Sequence, residues 1–122
     1  MSRIDLDKYV HPYCGVSFIE WENGYIVYRR ATGDNIELLH IKTHVPGQGT
    51  GRGLVLAMLQ ELKNDPPYES VFGFTRADNI GSQSFYKALG FDLSSVKGVY
   101  ADGHAVLFSQ KYATLLELNN VR

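Results

Sequence analysis

The sequence predicts an α/β fold, a mixed sheet of about six strands carrying two main helices. Three observations predict it. Strand-like runs rich in β-branched and aromatic residues stand on both sides of the glycine-rich stretch Gln48-Gly49-Thr50-Gly51-Arg52-Gly53. Behind that stretch, Leu54, Val55, Met58, Leu59 and Leu62 recur at helical spacing. The chain between the strand before the glycines and the next strand is long enough for a parallel crossover, which is right-handed by rule.

The elements follow in order. Ile4 to Tyr9 reads as a short helix or irregular arm. Val16–Trp21 and Tyr25–Arg30 are strand-like and meet at Asn23-Gly24, a strong tight-turn signal. Thr32-Gly33-Asp34-Asn35 marks a second turn, and Ile36–Val45 is the third strand of the meander. The helix Gly51–Leu62 ends at Asn64-Asp65-Pro66-Pro67. Tyr68–Arg76 is the next strand, and Ile80–Leu89 is a helix with Gly90 at its C-terminal cap. Phe91–Tyr100 and His104–Gln110 form a closing hairpin around Asp102-Gly103, followed by a short helix over Ala113–Leu118. No repeat, linker or low-complexity segment interrupts this order, so the 122 residues read as one domain.

Composition excludes several classes. With 44% apolar and 20% charged residues the chain is an ordinary globular domain, and no apolar run approaches the ~20 residues that span a bilayer. The N-terminus carries Arg3, Asp5, Asp7 and Lys8 and no signal-peptide core, so a cytoplasmic location is expected and no membrane partner. A net charge of −1 argues against a nucleic-acid partner. Cys14 is the only cysteine; a buried or incidental thiol is favoured over a nucleophile. His11, His40, His44 and His104 are scattered, and His40 and His44 would lie about 13 Å apart on a strand, so no metal site is expected.

A strand feeding a glycine-rich turn that opens a helix is an anion-binding device, because free N–H groups and the positive end of the helix dipole point into one space. The competing explanation is close packing, which also needs small residues. The stretch is no nucleotide P-loop, since no Lys-Ser or Lys-Thr follows it, and Gly47, Gly49, Gly51 and Gly53 lack the dinucleotide spacing. Downstream stands Asn79-Ile80-Gly81-Ser82-Gln83-Ser84-Phe85-Tyr86-Lys87-Ala88-Leu89-Gly90-Phe91. Phe85 and Leu89, four apart, are expected in the core, with Tyr86 turned towards the crevice.

Together the two segments resemble the GNAT N-acetyltransferase superfamily. Gln48-x-x-Gly51-x-Gly53 is similar to its acyl-CoA pyrophosphate signature, and Asn79-x-x-Ser82-x-x-Phe85-Tyr86-x-x-Leu89-Gly90-Phe91 to its second motif. The resemblance covers about Ile36 to Phe91 and departs from the pattern at the N-terminus, which has no room for the helical pair between the first two strands. It implies a GNAT-like acyl-CoA N-acyltransferase fold, acetyl-CoA as cosubstrate and a primary amine as acceptor, either a protein lysine or a small molecule. The implied cofactor-binding residues are His44, Val45, Gln48, Gly49, Thr50, Gly51, Arg52, Gly53, Asn79, Ser82 and Tyr86, with Arg76 and Lys87 as further phosphate contacts. A main-chain N–H near His44 or Val45 is the oxyanion donor, and the strand end Ile41–Val45 pairs with the pantetheine amides. The implied catalytic residues are Tyr86, as the acid that protonates the leaving thiolate, and Glu37, as the base. Strand alternation puts Glu37, Leu39 and Ile41 on one face and Leu38, His40 and Lys42 on the other. His40, His44, Glu20, Glu22 and a water chain are the other candidates for the base. A homodimer is compatible with this reading. The second reading is a non-catalytic acyl-CoA-binding or interaction module on the same fold.

Overall fold

A computed structural model describes residues 15–64, 67–100 and 103–121. The elements run β1 (Val16–Trp21), β2 (Gly24–Arg30), β3 (Asn35–Thr43), α1 (Thr50–Leu62), β4 (Ser70–Arg76), α2 (Ile80–Ala88), β5 (Asp92–Tyr100), β6 (Gly103–Lys111) and α3 (Tyr112–Leu118). The strands form one six-stranded sheet in the order β1-β2-β3-β4-β6-β5. Only the β3–β4 pair is parallel, with α1 as its crossover. The sequence-predicted arm at Ile4–Tyr9, Cys14, His11 and the tip at Asp102 lie outside the described residues.

The three described helices pack on one face. The five apolar residues expected to line α1 are buried against Ile26 and Tyr28 of β2, Ile36 and Leu38 of β3 and Val71 of β4. Tyr86, Leu89, Phe91, Phe108, Tyr112 and Leu115 extend the same core under α2 and α3. Burial of each such side chain contributes about 1.5–3 kcal/mol, so this face holds the molecule together. Two buried polar groups tie down the C-terminal helix: the Tyr112 hydroxyl donates to Leu59 O at 2.7 Å, and Asn119 Nδ2 donates to Leu89 O at 2.9 Å. The other face carries Phe18, Tyr25, Arg29, Glu37, His40, Phe72 and Phe74, and no described helix covers it.

Three details depart from the sequence reading. The first hairpin turns at Glu22–Asn23, because Trp21 pairs with Gly24. Gly24 is a strand residue whose Cβ would lie 2.5 Å from Lys42 O, so it is needed for close approach and not for a turn. In β3 the alternation breaks: Val27 faces His40 but Tyr28 faces Leu38, which leaves Leu39 as the extra residue of a bulge. Glu37 and His40 therefore share the face opposite the three described helices, while Leu38 and Ile41 share the helix face, unlike the regular alternation expected. Finally, Phe85 and Tyr86 exchange emphasis. Tyr86 is buried in the core and Phe85 is only partly buried.

The bulge lies where the sheet opens. β3 and β4 pair only at Asn35–Ser70, Ile36–Val71 and Glu37–Phe72. Beyond that point no pairing joins the rest of β3 to Gly73–Arg76, and the two parallel strands leave a wedge between them.

Candidate active site

The loop from His44 to Gly49 carries the chain from the open end of β3 into α1. Gly47 and Gly49 adopt φ of 82° and 72°, which side-chain-bearing residues rarely do, and a Cβ at either would meet nothing. Backbone conformation, not space, demands glycine there. Gly49 is the N-cap of α1 and offers no side-chain cap bond. The first helical bond runs from Gly53 N–H to Gly49 O at 3.0 Å. The amides of Thr50, Gly51 and Arg52 consequently have no acceptor within the helix. No acidic residue stands in this first turn to offset the helix dipole. They border a concavity of about 310 Å³ lined also by Val45, Gln48 and Gly49.

Gly51 and Gly53 answer to packing. A Cβ on Gly51 would lie 3.1 Å from Phe85 Cε1, and one on Gly53 would lie 3.2 Å from Trp21 Cζ3. Gly53 therefore leaves the cradle: its N–H is used inside the helix and its missing side chain accommodates Trp21. His44 is likewise corrected as an oxyanion donor, since its N–H donates to Asn23 O at 2.9 Å. Val45, 48% exposed, is the remaining candidate of the two. Thr50 is buried, and its hydroxyl accepts from Asn23 Nδ2 at 3.0 Å.

A second cavity, about 180 Å³, is lined by Ile41, Thr43, Gly51, Ser82, Phe85 and Tyr86. It shares Thr43, Gly51 and Phe85 with the cradle, so the two cavities adjoin between the α1 N-terminus and Tyr86. Asn79 caps α2, its Oδ1 accepting from Ser82 N–H at 3.0 Å. Asn79 and its Gln83 neighbour, which donates to Ala77 O at 2.9 Å, set the angle at which α2 leaves β4. Arg76 and Lys87 do not line either cavity. Arg76 lies 3.5 Å from Asp78 and stacks over Tyr100.

The Tyr86 ring lies parallel to Phe108 at 3.6 Å and meets Phe85 and Phe91 edge-on. Burial is the main cause that pushes its phenol well above the ordinary value of 10, with Tyr100 adding to it, so the group stays protonated at neutral pH. Glu37 does not join it. Its carboxylate accepts from Arg29, at 2.7 Å from Nη2 and 2.8 Å from Nε, on the face opposite the described helices. Phe72 and Phe74 border the same hollow as Glu37. His40 meets Tyr25 at a tilt on that face as well, with ring centroids 5.7 Å apart. The structure thus assembles Thr50, Gly51, Arg52, Ser82 and Tyr86 on one side of the wedge and leaves Glu37 and His40 on the other. Ile41 and Thr43 belong to the strand end Ile41–Val45 singled out in the sequence; the residue missed there is Asn23, which reads only as a turn residue.

The chain fits an acyl-CoA donor in two respects: an open helix N-terminus for a pyrophosphate, and an adjoining cavity for the arm. Among the described residues no three His, Cys, Asp or Glu converge on a metal-sized space. Comparison with curated proteins finds no match. Solved structures do match. Ard1 from Thermoplasma volcanium is 24% identical, with 73% of this chain and 62% of that chain covered and a TM-score of 0.65. The PaiA N-acetyltransferase from Thermoplasma acidophilum, in complex with coenzyme A, is 18% identical, with 80% and 62% covered and a TM-score of 0.67. A Bacillus anthracis protein in complex with acetyl coenzyme A is 16% identical, with 88% and 68% covered and a TM-score of 0.71. The chain thus spans 62% of the first two and 68% of the third. The model of the acetyltransferase (GNAT) family matches residues 9–91, which takes in the cradle, the wedge and Tyr86, and the chain belongs to that family.

Proposed function

We propose that the protein transfers an acetyl group from acetyl-CoA to a primary amine. The observation that carries this reading is that the open α1 N-terminus adjoins the cavity at Tyr86, the two sharing Thr43, Gly51 and Phe85. The amides of Thr50, Gly51 and Arg52 hold the pyrophosphate, with Arg52 adding charge. The exposed edge of β3 over Ile41–Thr43 holds the arm by main-chain pairing. Acetyl-CoA supplies a thioester carbonyl, and the N–H of Val45 faces the charge that develops on its oxygen.

In the transfer, a carbon–nitrogen bond to the amine forms and the carbon–sulfur bond breaks. The Tyr86 hydroxyl gives its proton to the departing sulfur and regains one from solvent. The amine, with an unperturbed pKa near 10.4 for lysine, gives up its proton to a base. Glu37 suits that role from the acceptor's side, since it sits at the fork of the wedge on the face opposite Tyr86. The β1–β2 turn has two residues, and among the described residues no helix walls this face. An open approach favours a bulky acceptor, such as a lysine on a protein surface, over a small amine.

The test is an acetyl-CoA turnover screen against lysine peptides, polyamines, aminoglycosides and amino acids. Transfer to at least one is expected, with lysine peptides preferred. No transfer, together with no thermal shift by acetyl-CoA or CoA, would discard the reading. One observation favours the second reading, an acyl-CoA-binding module without turnover: the stacking of Tyr86 on Phe108 is what a purely structural tyrosine would show. Acetyl-CoA binding without any transfer would select it.

A further inference from the structure

We infer that Phe108 and Gly73 are positioning residues that fix the direction of the Tyr86 hydroxyl; the inference rests on the acetyl-transfer reading above. Phe108 of β6 pairs with Gly73 of β4 and is 1% exposed. Gly73 is the first residue of β4 beyond the last pair with β3. A Cβ there would lie 2.2 Å from Phe108 Cζ and 2.7 Å from Leu38 O. Only glycine lets the Phe108 ring lie across β4 at the point where the wedge begins. Phe108 thereby comes under Tyr86, ring to ring at 3.6 Å and 9°.

That stack is not explained by its own stability. Carbon atoms of two rings approach to about 3.5 Å, so a centroid separation of 3.6 Å leaves little room for offset. Aromatic pairs prefer offset or edge-to-face arrangements to a face-to-face sandwich. Phe91 meets Tyr86 and Phe108 edge-on, at 5.7 Å and 5.2 Å, and Phe85 meets Tyr86 at 5.2 Å. The Tyr86 ring is thus held on one face and at its edges, while Tyr86 and Ser82 line the cavity. What the cluster secures is one orientation of the phenol, in a fold where the acid must point at a single sulfur position.

The experiment combines Phe108→Leu, which keeps apolar volume but removes the flat face, with Tyr86→Phe. In the wild-type background Phe108→Leu is expected to lower kcat about tenfold, as misplacement of a catalytic group does, with KM for acetyl-CoA unchanged. In the Tyr86→Phe background it is expected to change kcat by less than about twofold, because the group it positions is gone. Equal losses in both backgrounds, or a change in KM alone, would overturn the inference and leave the acetyl-transfer reading standing. If wild-type protein shows no turnover, the acetyl-transfer reading itself fails; a wild-type rate in Tyr86→Phe removes Tyr86 as the acid and overturns the inference. Where there is no turnover, the crystal structure of Phe108→Leu decides the positioning claim: a displaced or multiply placed Tyr86 hydroxyl supports it and an unmoved one overturns it. Gly73→Ala, at a melting temperature separately measured, is expected to reproduce the Phe108→Leu kinetics.

Discussion

Tyr86 combines two properties that usually conflict, burial in an aromatic cluster and access to a cavity. Its role as acid predicts that Tyr86→Phe lowers kcat by about 100-fold while acetyl-CoA still raises the melting temperature as in wild type. An unchanged rate would remove Tyr86 from the reaction. Burial raises its proton affinity, and the same direction holds for Tyr28 and Tyr112, again with burial first among the causes. The folded state then keeps phenolic protons that the unfolded state releases above pH 10, so unfolded chains bind fewer protons there and stability falls as pH rises. Stability from these groups is fully present below pH 10 and declines above it. Urea midpoints measured from about pH 9 to 11 should be flat at first and then drop; a rise above about pH 10 would contradict the burial argument. At Gly49, φ of 72° makes Gly49→Ala cost about 1–2 kcal/mol, measured as a lower unfolding free energy.

At the scale of elements, the β1–β2 hairpin tip braces the cradle from outside. Asn23 accepts from His44 N–H and donates to Thr50 Oγ1, so one residue joins the end of β3 to the first turn of α1. Asn23→Ala removes the second bond and is expected to cost about 1 kcal/mol of stability and to weaken acetyl-CoA binding several-fold, with kcat at saturation preserved. Calorimetric titration and steady-state kinetics check this; a drop in kcat alone would show that the brace acts elsewhere. The elements themselves were legible because each rests on a local signal: the Leu54–Leu62 stripe, the cap residue Gly90, and the strand-like runs rich in β-branched and aromatic residues. What was not legible depends on partners distant in sequence. The bulge at Leu39 leaves no mark in Leu38-Leu39-His40, and it alone moves Glu37 and His40 to one face. Gly73 reads as an incidental strand glycine until Phe108 and the Leu38 carbonyl are placed around it. Gly51 and Gly53 fit the anion cradle by spacing, yet their neighbours Phe85 and Trp21 show that packing also selects them. At the candidate site, the fold brings Tyr86 and the glycine stretch of the sequence reading to adjoining cavities, while the main-chain N–H groups of His44 and Gly53 are engaged by Asn23 O and Gly49 O, partners that residue spacing alone does not reveal.

The whole molecule consists of two half-sheets, β1-β2-β3 and β4-β6-β5, that share only three paired positions. The core beneath α1 holds them together on one face. On the open stretch of the wedge, β3 pairs with β2 alone, so its other edge has no strand partner beyond Glu37 among the described residues. A donor arm seated there would replace the missing strand and join the halves. Two consequences should appear together on adding acetyl-CoA. At about 100 times its Kd, the ligand stabilises the fold by about 2.7 kcal/mol through mass action. The stabilisation is read as a rise of several degrees in melting temperature for a domain of this size. At the same time, amides within Ile41–Thr43 that point into the wedge should gain hydrogen-exchange protection, whereas those pointing at β2, already bonded, should change little. Protection spread evenly over β1 and β5, or a thermal shift without protection at Ile41–Thr43, would mean that the ligand sits outside the wedge.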